Sequence, residues 1–227
     1  MATASKPAMV SAPPRTDPQP TATAEGVAER ALAHLRICDP ILASINARVG
    51  EFKMQYREPA FSSLVRSIVF QQLHGKAATT IFNRLLEKAG GELTPESILK
   101  LRTSQMRAVG LSNQKLSYIR DLAKKTKAGN VNFKILPQLS DEEVVAHLTQ
   151  IKGIGVWTAH MFLIFALRRE NVLPTGDLGV RAAMRKAYGM KVLPKPVTMQ
   201  RLAKSWHPYC SIASWYMWRS LDAPIQI

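Results

Sequence analysis

Cysteine is scarce in this chain of 227 residues: Cys38 and Cys210 are the two present, far apart and outside any C-x-x-C spacing. That scarcity argues against a disulfide scaffold, a zinc site and an iron–sulfur cluster together, and it fits a reducing compartment. Long apolar runs are lacking too. The longest, around residues 161–167, suits a buried helix and falls well short of crossing a bilayer, so no membrane span is expected. The opening stretch MATASKPAMVSAPPRTDPQPTA has no continuous hydrophobic centre and does not read as a secretory signal. Its Pro, Ala, Ser and Thr predict a disordered tail over residues 1–24, with a mitochondrial transit peptide as the alternative. Acidic residues are also few: 16 Asp and Glu face 31 Lys and Arg, for a formal charge of +15 and a pI near 10.2. Such an imbalance attracts polyanions, nucleic acid first, then an anionic membrane surface or the ribosome. A merely basic soluble protein is the plain alternative.

Sustained period-two alternation is missing as well, so nothing reads as a strand. Helical spacing is what the chain does show. Ala31, Leu32, Leu35 and Ile37 recur at helical intervals until Asp39-Pro40 breaks the pattern. Leu64, Ile68, Ala77, Ile81 and Leu85 carry it past a turn at 72/73 to Gly90-Gly91. Thr94 before Pro95, and Ser140 three residues before Glu143, mark helix starts. The nearly all-apolar run VWTAHMFLIFAL predicts a central buried helix. These segments amount to about ten short helices, an all-α protein with one helical domain over residues 25–227 and no repeat.

Within that pattern, IKGIGVWTAH (residues 151–160) places Gly153 and Gly155 between two helices. Glycine there permits positive φ and close approach of another chain, and the following helix N-terminus offers N–H groups and a positive dipole end to a phosphate. A bare corner between helices is the competing reading. Further on, Asp177 follows LPTG and opens DLGVRAAM, a sound N-cap position.

Taken in order, FSSLVRSIVFQQLHGKAATTI, LTQIKGIGVWTAHMF and LPTGDLGVRAAM resemble the HhH-GPD DNA glycosylases. Within that superfamily the likeness is to the alkylation-repair branch, 3-methyladenine DNA glycosylase II, over roughly residues 25–222. TGD stands where the family has Gly-Pro-Asp. The resemblance implies a compact, two-lobed helical fold with a cleft, without an N-terminal β-domain, and Asp177 as the catalytic carboxylate. A carboxylate beside the sugar stabilises oxocarbenium character as the N-glycosidic bond breaks. Strand-cutting members carry a lysine where this chain has Trp157. Without that amine the covalent lyase route lacks its nucleophile. The indole instead suits a cationic alkylated base, although a large core side chain is the alternative. Trp215, Tyr216 and Met161 are expected to line the base pocket with it; Trp218 reads as core, and Trp206 is unassigned.

Enzymes that act on a base in duplex DNA unstack it first. By resemblance Gln72 is the wedge, and His74 is placed to reach a minor-groove edge, or else to be a surface histidine. Gln71 reads as backbone support. Phosphates are expected at Lys152, at the N–H groups of Gly153 and Gly155, and at Ser112 or Lys115. The family also implies a sodium or potassium ion on the hairpin backbone at Ile151 and Ile154. DLAKKTKAG reads as a solvated basic face. The expectation is therefore a monofunctional, monomeric alkyl-base DNA glycosylase acting on double-stranded DNA, in the nucleoid or cytoplasm of a bacterium or the nucleus of a eukaryote. A noncatalytic DNA-binding module and a glycosylase for oxidised or mismatched bases are the alternatives.

Overall fold

The computed structural model describes residues 24–73 and 75–222. The tail expected before Ala24 and the assignment of His74 lie outside the described residues. Twelve α-helices run through the rest: Ala24–Cys38 (α1), Pro40–Val49 (α2), Phe61–Phe70 (α3), Gly75–Lys88 (α4), Pro95–Lys100 (α5), Thr103–Ala108 (α6), Asn113–Lys127 (α7), Asp141–Thr149 (α8), Val156–Phe165 (α9), Leu178–Ala187 (α10), Pro196–Leu202 (α11) and Cys210–Asp222 (α12). Two 3-10 turns, Leu136–Gln138 and Ala203–Trp206, complete them. No strand occurs among the described residues.

The expected helix starts are present. Thr94 accepts the Ser97 N–H, and Ser140 and Glu143 form a reciprocal capping box. Three details of the pattern are corrected. Ile37 is 84% exposed, because α1 turns only Ala31 and Leu35 fully inward. Ala78 rather than Ala77 is buried, because the chain breaks at 71–73 and restarts α4 in a new phase. Helix α9 buries Thr158, Ala159, Phe162, Leu163 and Ile164, but it is not buried all round: Val156 and Trp157 in its first turn are exposed, and His160, Met161 and Phe165 are partly so.

The apolar faces collect into two cores. One is built by α3 to α9, with Leu64, Ile68, Ile119, Leu148 and Phe162 at its centre. The other joins the start of the chain to its end, packing Leu35 and Leu42 against Met184, Trp206 and Tyr216. Met54 and Trp218 touch both. Because the chain leaves the second lobe after α2 and returns to it at α10, the segments that meet between the lobes are the hairpin, the Asp177 loop and α12.

Candidate active site

Residues of both lobes line one cleft of about 1420 Å³. Arg66, Phe70 and Gln71 enter from α3 and its end, Ser112, Lys115 and Tyr118 from the start of α7, Trp157, Met161 and Phe165 from α9, and Trp215 and Arg219 from α12.

The hairpin that carries α9 is anchored by buried Ile151 and Ile154. Its two glycines do different work. Gly153 has φ 78°, and a Cβ there would fall 2.0 Å from the Tyr118 ring. Gly155 has φ −97°, an ordinary extended value, so of the two freedoms that glycine permits it does not use the positive φ. A Cβ on Gly155 would meet nothing within 4 Å, so the backbone there is open to approach. Neither glycine N–H has a protein acceptor among the described residues. The Lys152 side chain is exposed, while its N–H donates to Asp121 Oδ2 at 2.8 Å. One lone pair of the Ile151 carbonyl already accepts the Ile154 N–H, leaving its other lone pair for a hard cation.

Two other expected phosphate contacts look different in the fold. Ser112 caps α7 by accepting the Lys115 N–H. The Lys115 ammonium is not free: it donates to the Val69 carbonyl at 2.7 Å and the Gln71 carbonyl at 2.6 Å. Burial pulls its pKa below the usual lysine value. Gln71 is a support, as read, since its Nε2 donates to the Gly153 carbonyl at 2.9 Å. Gln72 sits at the exposed tip with φ 54°.

Among the aromatics, Trp157 is 45% exposed and Trp215 shows 9% of its surface to the cleft. Tyr216 does not reach the cleft, which corrects its place in the base pocket. It is fully buried, packed edge-on against Trp215, and its hydroxyl donates to the Gly50 carbonyl at 3.0 Å. Trp218 moves the other way. It is half-buried, stacked on Phe165, and its Nε1 donates to Asp177 Oδ1 at 2.7 Å.

Asp177 is 8% exposed and does cap α10, its Oδ1 accepting the Val180 N–H at 2.8 Å. Oδ2 accepts the Trp157 Nε1–H at 2.7 Å, so the carboxylate lies one hydrogen bond behind a wall of the cleft. Gly179 makes this possible, since a Cβ there would fall 2.9 Å from Trp218 Cδ1 and 3.1 Å from Asp177 Oδ1.

Asp39 is a natural control in the same molecule. It is also a buried N-cap aspartate bound by an indole. Its Oδ1 accepts the N–H groups of Ile41 and Leu42, and its Oδ2 accepts Trp206 Nε1 and the Tyr188 hydroxyl. A carboxylate has about four acceptor positions. Asp39 fills all of them, and neither of its side-chain partners, Trp206 and Tyr188, lines the cleft. Asp177 fills three, and one Oδ2 position has no partner among the described residues.

A two-lobed helical fold with a glycine hairpin on its cleft, and an aspartate held behind the cleft wall by the indole of Trp157, is the helix-hairpin-helix glycosylase architecture. The model of the HhH-GPD superfamily of base excision DNA repair proteins matches residues 65–208, and the chain belongs to that superfamily. It is 35% identical over 198 residues to DNA-3-methyladenine glycosylase 1 of Schizosaccharomyces pombe, covering 84% of this chain and 86% of that one. Among solved structures it is similar to the S. pombe 3-methyladenine DNA glycosylase in complex with abasic DNA, with a TM-score of 0.75 at 35% identity over 83% of this chain and 95% of that one. The Bacillus halodurans DNA-3-methyladenine glycosidase gives the same TM-score of 0.75, at 33% identity over 85% and 94% of the two chains.

Proposed function

We propose that this protein is a monofunctional DNA glycosylase that removes alkylated purines from double-stranded DNA and leaves an abasic site. The observation that carries the reading is the Asp177 carboxylate, oriented by three N–H donors with one acceptor position open, directly behind the exposed Trp157. The extruded base enters the cleft and meets the Trp157 face, which attracts the positive charge of an N3- or N7-alkylated purine by about 0.5–2 kcal/mol. As the C1′–N bond breaks, its electron pair goes to the base and neutralises that charge, so no strong general acid is required. Asp177 stabilises the developing oxocarbenium ion and orients the attacking water, whose oxygen bonds to C1′ and whose proton passes to the carboxylate or solvent.

Trp157 thus serves both ends of the reaction, its N–H fixing the carboxylate and its face receiving the base. It has no amine for a Schiff base, which supports hydrolysis without strand cleavage. The free Gly153 and Gly155 N–H groups, at the start of α9, support a phosphate there. A monovalent cation on the hairpin carbonyls would add positive charge beside that phosphate. Such an enzyme works where the DNA is, in nucleus or nucleoid.

The test is incubation of methylated duplex DNA with the wild-type protein. Free 3-methyladenine or 7-methylguanine is expected, with strands that break only on alkaline treatment. Tight abasic-site binding with no base released from any lesion would point to a noncatalytic module and overturn the proposal.

Gly179 provides a sharper probe of the carboxylate's orientation. Gly179→Ala is expected to push Trp218 off Asp177 and slow base release about tenfold, the loss of about one hydrogen bond to a charged group. Alanine favours a helix over glycine by up to about 1 kcal/mol, so the melting temperature should change little. Unchanged single-turnover release would show that the Trp218 contact does not matter.

A further inference from the structure

One face of α7 holds two separate DNA-facing segments together. Lys115, Tyr118, Asp121 and Lys125 follow one another at spacings of three, three and four, which stacks them on a single side of the helix. At the first position the ammonium grips the carbonyls of Val69 and Gln71 at the end of α3. At the second the ring fills the space that a Cβ on Gly153 would need. At the third the carboxylate accepts the Lys152 N–H, and Lys125 holds that carboxylate from the next turn. Burial pushes the Asp121 carboxyl up, but hydrogen bonds from Lys125 and Lys152 outweigh it and hold the group below the usual carboxylate range. Gln71 closes the circuit by donating to the Gly153 carbonyl.

The turn that this circuit controls is a strained one. Gln72 has φ 54°, a left-handed conformation that a non-glycine residue keeps only where its surroundings enforce it. Among the described residues no side chain but Lys115 reaches the carbonyls on either side of Phe70, at a helix C-terminus where a cation is favourable. Lys115 satisfies both and so sets the direction in which the chain leaves α3.

We propose that Lys115 is a positioning residue, not a phosphate ligand: it holds the exposed turn at Gln72 in its inserting shape and, through Gln71, locks that turn to the hairpin. Insertion beside the lesion and phosphate capture then belong to one rigid unit. The proposal rests on the glycosylase reading given above.

Two measurements on Lys115→Met test it. A phosphate ligand lowers the slope of log affinity against log salt by about one when removed, whereas a positioning residue leaves the slope unchanged. An inserting turn matters when a paired base must be unstacked and matters less when the lesion already lacks a partner. Binding is read on a duplex with a tetrahydrofuran abasic analogue, and single-turnover release on 7-methylguanine opposite cytosine or opposite an abasic site. The expected result is an unchanged slope, with release about tenfold slower opposite cytosine and within about threefold of wild type opposite the abasic site. Gln71→Leu, which leaves the ammonium in place and cuts only the tie to Gly153, should reproduce that pattern. A slope lower by about one, or equal losses on both duplexes, overturns the proposal. If the wild type releases neither lesion, the glycosylase reading fails by itself, and the salt slope still decides the role of Lys115.

Discussion

Asp177→Asn is expected to slow single-turnover release of an alkylated purine by about a hundred- to a thousandfold, the range for loss of a preorganised charge or dipole at a transition state. Two effects act together. The substitution removes the negative charge opposite the developing oxocarbenium ion. It also sets a donor where an acceptor stood. The amide oxygen will take the Oδ1 position, which serves both the Val180 N–H and Trp218. Its NH2 then faces the Trp157 N–H, which now bonds Oδ2 at 2.7 Å, and an indole cannot accept a hydrogen bond. Trp157 should therefore loosen, visible as a change in tryptophan emission. The helix cap itself should hold, because Asn caps a helix about as well as Asp, so the stability loss should stay near that of the one orphaned Trp157 donor, at most about 1–3 kcal/mol. Affinity for an abasic duplex should stay within a few-fold, since the hairpin N–H groups are untouched. Asp177→Ala is a poorer test, because it takes the acceptor from three donors at once, the buried Val180 N–H and the partly exposed indoles of Trp157 and Trp218, at up to about 1–3 kcal/mol each. Equal release by wild type and Asp177→Asn would remove Asp177 from the chemistry.

Such a contrast between two aspartates was not legible before folding. Asp39 and Asp177 each follow a break in the helical pattern and precede a helix, so local sequence gives them the same setting. What separates them is the Tyr188 hydroxyl on Asp39, a partner 149 residues away. Features that depend on near neighbours were readable: the capped helix starts, the hairpin and the polar interruption at 71–73. Features that depend on which way a helix turns in the fold were not. Trp215, Tyr216 and Trp218 stand in a helix that is apolar around most of its circumference, so periodicity could not tell cleft from core. The fold sends Trp215 to the cleft, Tyr216 inward and Trp218 to Asp177. Lys115 failed for a related reason. In a basic helix its charge reads as solvent- or phosphate-facing, and only the packing of α3 brings two backbone carbonyls under it. The 115, 118, 121 spacing was the available signal, but on its own it resembles any exposed helix face.

Gly153→Ala should have the second large effect, and its comparison with Gly155→Ala separates structure from recognition. At Gly153 a Cβ would lie 2.0, 2.2 and 2.5 Å from Tyr118 Cδ2, Cε2 and Cγ. The nearest atoms include the root of the ring, so a small swing of the side chain cannot relieve the clash. A left-handed φ adds about 1–2 kcal/mol for any residue with a Cβ. Either the ring leaves its place or the hairpin lifts away, and lifting breaks the contacts from Gln71 and Asp121 as well. A loss of about 2–4 kcal/mol in unfolding free energy is expected, together with at least about tenfold weaker binding to an abasic duplex. Gly155→Ala meets no protein atom and needs no unusual φ, so its melting temperature should match wild type. If a phosphate approaches Gly155 closely, that variant should still bind DNA more weakly, because the added methyl lies outside the protein, where the ligand comes. Tyr118→Ala combined with Gly153→Ala should recover part of the stability by removing the clash while keeping the φ penalty, a coupling of at least about 1 kcal/mol in a double-mutant cycle. Additive losses would mean that the ring does not hold the hairpin down, and the rigid unit joining α7 to the hairpin would have to be abandoned.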